Sequence, residues 1–519
     1  MRFSHPILTC KESEKHETHL IGGDKSKEWE AMTKAGRALG NAILQDFQEI
    51  APRPESLRIL IIAGKGHNTG DALIAAKKIL QHCPKAQIYI LFVFSENNLR
   101  PLTQKCLDNL QHASGDQIVS ENWHDNKPPF KGPVNFDICI DGLFGMQFKP
   151  PLVLPAVNVI NWVNEKKDIR LRAAVDLPSG LGDESDKIAF RADFTYATGI
   201  AKSPLFNFKN SKFVGRVRYL DIGFFDNYVK TGNDNFVLTL KVLDSLRGLR
   251  NPISDKRSYG HLFVIGGSRF MPGAIQMSVI AALRSGVGLV TAFVPESVSA
   301  AFAAVIPEAM WVPWPETPNG GLTVEGFHLL KNKLGRATAL IAGPGMGTEE
   351  ETQFIVQRIV KEISLPLVLD ADALQLTSIK LAHERSDDWG RVIITPHHGE
   401  FNRISQSNSI DIDQKTLFEF CRKNNLITLL KGPITRICDA SHIIYNTFGG
   451  PLLARGGSGD ILCGLIGSML ARPGVQPLEA VCRAEVLHGM AADRLARNRG
   501  HVAVQTTEIL DYLAIVLRQ

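Results

Sequence analysis

In the segment GGPLLARGGSGDILCGLIGSMLARPG, Gly449 to Gly474, one carboxylate, Asp460, follows Gly456, Gly457 and Gly459 and precedes an uncharged run from Ile461 to Ala471. Glycines let backbone approach an anion closely, and the start of a helix aims free N–H groups at it. A carboxylate beside such a site repels phosphate unless it has a chemical task, such as taking a proton from a hydroxyl. The plain alternative is that Asp460 caps the helix. Ile461, Leu462, Leu465, Ile466, Met469 and Leu470 recur at helical spacing, which predicts a helix with one broad buried face.

Four more stretches of the same half carry chemistry-bearing residues. GPGMG, Gly343 to Gly347, follows the apolar run ATALIA and makes a close-approach loop. LDADAL puts Asp370 and Asp372 at a strand end, where turn and cap chemistry is the alternative reading. TPHHGEF brings His397, His398 and Glu400 just after RVIIT. A metal site would want a third well-placed ligand, and none is evident. LLKGPIT ends a strand with Lys431 and Thr435, which could face nucleotide phosphates or ribose.

The first half has its own candidate, GKGHNTGDAL, Gly64 to Leu73. It is no P-loop, because Gly70-Asp71 stands where that motif needs Gly-Lys. Asn68 and Asp71, with Asp141 and Ser179 further on, offer oxygen donors that suit a hard cation better than zinc. The alternative is turn chemistry for Asn and Asp beside glycine.

These residues need elements to hold them. LRILIIA, AQIYILFVF, FDICIDG and RAAVD are continuous apolar runs, as strands of a parallel sheet covered on both faces require. Asp71, Asp141 and Asp176 fall at or just beyond their ends, where such sheets bind ligands. The grammar repeats from Tyr259 onward, and FFDNYVKTGNDN between the blocks is polar and turn-rich. The expected layout is two α/β domains, 1–225 and 239–519, joined by a linker over 226–238. A length of 519 residues agrees, since domains run to ~100–200 residues or somewhat more. A net charge of +5, evenly spread, argues against nucleic acid as partner. No run reaches the ~18 apolar residues of a membrane span. The N-terminus lacks a signal peptide's apolar core, and none of the 8 cysteines forms a CxxC pair, so a cytoplasmic protein with free thiols is expected.

The five motifs of the second half, in this order, closely resemble the C-terminal domain of the bifunctional NAD(P)H-hydrate repair enzymes, an ADP- or ATP-dependent dehydratase of ribokinase-like fold. The resemblance implies nucleotide contacts at Lys431, Gly432, Pro433, Ile434, Thr435 and Gly459. It implies hydrate contacts at Ala274, Gly347, His397 and Asp460, with Asp460 as acid/base. The pattern TPHxGE selects His397 over His398. One departure is SDKRSYG, where the family often has His-Lys-Gly.

GHNTGD, DGLFG and VDLPSGL, in order, resemble the N-terminal domain of the same fused enzymes, an epimerase with a Rossmann-like three-layer α/β fold. That implies potassium ligands at Asn68, Asp141 and Ser179. It implies hydrate contacts at His67, Asn68, Thr69, Gly70 and Asp71, and at Gly145, Met146, Gln147, Phe148, Lys149, Pro150 and Pro151. Asp176 also contacts the hydrate and is the implied acid/base. The family usually reads GNNGGDG and DALFGTGL-like loops, so His67, Thr69, Ala72, Met146 and Gln147 depart from it, and the stretch after PSGL is shorter. EWEAMTKAGRAL keeps the helical Met-x-x-Ala-Gly pattern.

The reading is thus a metabolite-repair enzyme. It interconverts the R and S hydrates of NADH and NADPH (NADHX, NADPHX) and dehydrates the S form with ADP or ATP, Mg2+ and K+. The resemblance implies a homo-oligomer, commonly a tetramer, with small-molecule substrates and no membrane or nucleic-acid partner. The alternatives are a dehydratase with a non-catalytic first domain and a ribokinase-like small-molecule kinase.

Overall fold

The computed structural model describes residues 3–52, 55–125, 129–130, 135–226, 232 and 234–518. It divides into two compact units, His5–Asn233 with Ala496–Gly500, and Met1–Ser4 with Asp234–Leu495 and His501–Gln519. Of the expected linker, residues 227–231 and 233 lie outside the described residues, and its last stretch forms the strand Asn235–Leu238 of the second unit.

The first unit is built on a seven-stranded sheet, in the order Ile118–Asn122, Gln87–Phe92, Arg58–Ala63, Phe136–Gly142, Ile169–Val175, Phe194–Thr198, Arg216–Leu220. All its pairings are parallel. Period-two alternation sends each strand's side chains to two separate cores. Ile59 and Ile61 pack with Leu39, Ile43, Leu73 and Ile79 of the helices Lys25–Phe47 and His67–His82. Leu60 and Ile62 pack with Val159, Ile160 and Val163 of the helix Leu154–Glu165. That is a three-layer α/β arrangement, as the uninterrupted apolar runs predict. The Met-x-x-Ala-Gly pattern has a packing cause, because a Cβ on Gly36 would stand 2.5 Å from Ile74 Cβ. Helix Lys25–Phe47 can approach helix His67–His82 only without that atom.

The strand order reverses between Arg58–Ala63 and Phe136–Gly142, the place where open α/β sheets bind ligands. The loops that follow these strands are GKGHN and LFGM. The second unit repeats the device. Its strands run Met310–Trp314, Leu289–Pro295, His261–Ile265, Ala339–Ala342, Leu367–Leu369, Val392–Ile394, Leu426–Leu430, Thr435–Cys438, Ile443–Asn446, Asn235–Leu238. Thr435–Cys438 alone runs antiparallel to both neighbours. The reversal lies between His261–Ile265 and Ala339–Ala342, so GGSRFMPG and GPGMG meet at one end.

The helix carrying Asp460 spans Ser458–Leu470 and is buried along nearly its whole length. It packs against the helix Pro272–Arg284 through Gly464, where a Cβ would stand 2.1 Å from the Ser278 carbonyl oxygen. That oxygen is backbone and cannot move aside cheaply. Gly464→Ala is therefore expected to destabilise the second unit by roughly 1–3 kcal/mol. Thermal melting checks it, and an unchanged midpoint would refute the contact's importance.

All eight cysteines are buried, and none is joined in a disulfide. Among the described residues no helix is long and apolar enough to cross a membrane.

Candidate active sites

In the second unit the glycine turn is shaped as the sequence requires. Gly457 lies at φ +86°, a conformation that strains any L side chain, and directly precedes the helix Ser458–Leu470. Asp460 is the third residue of that helix rather than its cap, and among the described residues its carboxylate makes no hydrogen bond. Its backbone carbonyl accepts from Ser278 Oγ at 2.8 Å, which pins this helix to the one bearing Ala274. Burial pushes the Asp460 carboxyl up to about 6, with the Asp370 carboxylate adding to the rise, Lys431 opposing it and Asp372 contributing further. A carboxylate titrating there is suited to proton transfer near neutral pH.

The other motifs converge on it. Lys431 Nζ lies 3.2 Å from Asp370 Oδ1. A Cβ on Gly459 would stand 3.3 Å from the same Nζ, so the KGPIT and GGSGD stretches are neighbours. Burial works against the Lys431 charge, but the carboxylates of Asp370 and Glu400 outweigh it and hold the ammonium above its ordinary range. Asp370 also accepts from Thr395 Oγ1 at 2.6 Å, and Asp372 accepts from the Gly347 N–H at 2.9 Å. Asp370 precedes the short turn Ala371–Ala373 without a side-chain cap bond to it, and Asp372 lies inside that turn. Gly345 seats against Ala274, whose Cβ would stand 3.0 Å from a Cβ added at that glycine.

His397 has a local structural task. Its Nδ1 accepts from the N–H groups of Gly399 and Glu400, while Glu400 Oε2 accepts from the His397 N–H, a reciprocal capping box for the helix His398–Ser405. Its ring is mostly exposed, with Nε2 facing Glu400 Oε1 at 3.6 Å. The N–H of Lys431 donates to the carbonyl of Pro396, which ties the two loops together. Gly432 and Pro433 are exposed in the turn before Thr435–Cys438, with Ile434 half-buried beside them. Thr435 lies near the buried carboxylate of Glu485, which accepts from Asn446 Nδ2 at 3.1 Å.

In the first unit a cavity of about 870 Å³ opens at the switch point, lined by Asn68, Asp71, Phe144, Asp176, Lys202 and Glu17 among others. Asp176 lies just past the strand Ile169–Val175 at φ +66°, a strained conformation for a non-glycine residue and one that marks functional sites. Its carboxylate accepts from Lys202 Nζ at 2.5 Å, and both side chains are almost fully buried. Burial raises the Asp176 carboxyl, and the Lys202 ammonium opposes that rise. Glu17, on the helix Cys10–Ile21, is pushed up to about 7 by burial, with Lys202 opposing and Asp176 adding.

Asn68 Nδ2 donates to the carbonyls of Phe144 and Val175, at 2.9 and 2.8 Å. A Cβ on Gly145 would stand 2.4 Å from Asn68 Oδ1, so that glycine is required for the approach. Asp141 is the penultimate residue of its strand, and Asp71 is the fifth residue of helix His67–His82, just past its first turn. Asp141 accepts from the hydroxyl and the N–H of Ser179, at 2.7 and 2.8 Å. Burial pushes this carboxyl up to about 6.

His67, Gly145, Met146, Phe148, Lys149 and Pro151 reach the cavity wall, and so does Gln147, whose amide donates to Glu14 Oε1 at 2.9 Å. Thr69, Gly70 and Pro150 do not line it. Thr69 is fully buried and bridges backbone, donating to the Gly142 carbonyl and accepting from the Gly64 N–H. Glu17 and Lys202 are absent from the sequence reading. The available signal is a lone lysine inside the apolar run YATGIAKSPLF, too common a pattern to single out.

Residues 262–514 match the family model described as NAD(P)H-hydrate dehydratase, and residues 29–203 match that of the YjeF-related protein N-terminus. A bifunctional NAD(P)H-hydrate repair enzyme of Moorella thermoacetica is 32% identical over 497 residues, covering 94% of this chain and 92% of that protein. Its counterpart in Gloeobacter violaceus is 33% identical over 479 residues, covering 90% and 89%. Among solved structures, the ADP/ATP-dependent NAD(P)H-hydrate dehydratase of Bacillus subtilis, co-crystallised with ATP and Mg2+, is 28% identical with a TM-score of 0.44, covering 53% of this chain and 95% of that one. On the strength of its full-length relatives, the chain belongs to the family of bifunctional NAD(P)H-hydrate repair enzymes.

Proposed function

We propose that the second unit removes water from the S hydrate of NAD(P)H at the expense of ADP or ATP, and that the first unit interconverts the R and S hydrates. The observation that carries the first half is Asp460, an unbonded carboxylate behind a glycine turn at a helix start, beside Lys431. The turn and helix N–H groups receive the transferring phosphoryl group, and Lys431 balances its charge. Asp460 takes the proton from the C6 hydroxyl of the dihydronicotinamide ring. Phosphorylation makes that oxygen a good leaving group; the C6–O bond then breaks, phosphate departs, and loss of a C5 proton to solvent restores the ring double bond. Magnesium, when bound, neutralises nucleotide phosphate charge. Asp372, whose second carboxylate oxygen has no protein partner among the described residues, would hold it.

In the first unit Asp176 acts as the acid/base and Lys202 fixes its carboxylate. Asn68, Asp141 and Ser179 would hold potassium, which supplies a fixed positive charge there. The donors fit, because Asp141 is a fully buried carboxylate with no cationic side-chain partner among the described residues.

Pure R and pure S hydrate, given separately with ADP or ATP, Mg2+ and K+, are both expected to recover reduced-nicotinamide absorbance. Recovery from S alone would make the first unit a binding module. A stable phosphorylated product from either hydrate would make the second unit a kinase.

A further inference from the structure

Asp71 stands out among the groups around the first unit's cavity. It is 8% exposed and lines the same wall as Asp176, yet its Oδ1 is buried with no hydrogen-bond partner among the described residues. Asp176, by contrast, is fixed by the Lys202 ammonium. Three carboxyl groups, Asp71, Asp176 and Glu17, thus share one buried ammonium. Two like charges without a counterion cannot both persist in such a place, so protons must be retained. Asp71 is the group to retain one, since burial, then the carboxylates of Asp176 and Glu17, drive it well above its ordinary range against the pull of Lys202. Two carboxyls whose surroundings push them apart divide into an acid and a base.

We propose that Asp71 is the proton donor of the epimerisation and Asp176 its matching base, an assignment that rests on the epimerase reading of this unit. The reacting carbon is bonded both to the hydroxyl and to the ring nitrogen. Asp71 gives its proton to the C6 hydroxyl, the C6–O bond breaks, and water departs. The nitrogen lone pair stabilises the resulting ring cation. A water then adds to the other face, its oxygen bonds to C6, and its proton passes to the Asp176 carboxylate. Return of that proton to Asp71 through solvent closes the cycle. One water leaves and one enters, with no oxidation or reduction.

The test follows inversion of pure R hydrate by the full chain in 18O-labelled water, with potassium, no nucleotide, and the enzyme-free rate subtracted. The wild type is expected to place one solvent oxygen at C6 for each inversion. Asp71→Asn is expected to lower kcat by at least ~100-fold, with KM within about threefold. Asp71→Glu, which keeps the acid, is expected to regain part of the rate. Inversion with the original oxygen retained would overturn the assignment, as would an Asn variant inverting within threefold of the wild type. If the wild type does not invert at all, the epimerase reading itself fails and takes this one with it, a result distinct from a failure of Asp71 alone. Unchanged dehydration of S hydrate and an unchanged melting profile show that each variant is folded.

Discussion

Asp460→Asn is expected to lower S-hydrate dehydration by about 10³-fold while leaving nucleotide affinity largely intact. General acid–base catalysis contributes roughly 10²–10⁴-fold, and the amide keeps the shape of the side chain but cannot take a proton. Its carboxylate makes no hydrogen bond among the described residues, so little packing is lost. In the wild type kcat is expected to rise with pH through about 6, because the base must be ionised and burial holds its carboxyl there. The same shift has a stability consequence of defined sign. A folded-state value raised above the unfolded one means that the folded chain binds the proton more tightly, so stability is lost as pH rises between the two values. The Asn variant escapes that loss and is expected to melt slightly higher than wild type at pH 7. Steady-state kinetics with nucleotide titration and a melting curve check all three, and near-normal turnover would remove Asp460 from its role.

Asp176→Asn is expected to lower R-to-S inversion by roughly 10²–10⁴-fold and to leave S-hydrate dehydration unchanged. Here the fold is also at stake. Removing the carboxylate strands the Lys202 ammonium, 1% exposed, without the partner it meets at 2.5 Å. Breaking a buried pair from one side costs roughly 3–5 kcal/mol. Glu17 softens the loss, since it faces the same ammonium and no longer feels the Asp176 charge. The single variant is therefore expected to melt lower, and the double variant Asp176→Asn/Lys202→Met to recover stability but not inversion. Separate assays on R and S hydrate, with melting curves, distinguish the two effects. Unchanged R-hydrate use by the folded double variant would show that Asp176 is not the base.

Parts of both sites were legible in the chain because their chemistry is local. A glycine turn, a carboxylate and an apolar helix within a few residues announce Asp460, since backbone approach and helix periodicity need no distant partner. Continuous apolar runs announce parallel, doubly covered strands for the same reason. Lys431 and Asp370 were each visible at strand ends. Their pairing, across 61 residues, depends on where the sheet places the two strands. Thr69 sits in a motif that resemblance assigns to the substrate, yet packing turns its hydroxyl toward Gly142 and Gly64. Lys202 and Glu17 carry no motif at all. A lysine in an apolar run and a glutamate on a polar helix become part of a site only when folding buries them beside Asp176. Burial then makes their charges expensive and couples them. Residue type and spacing along the chain thus determined where the chemistry sits, whereas which groups hold charge or a proton was decided by desolvation and distance, quantities that exist only in the folded structure.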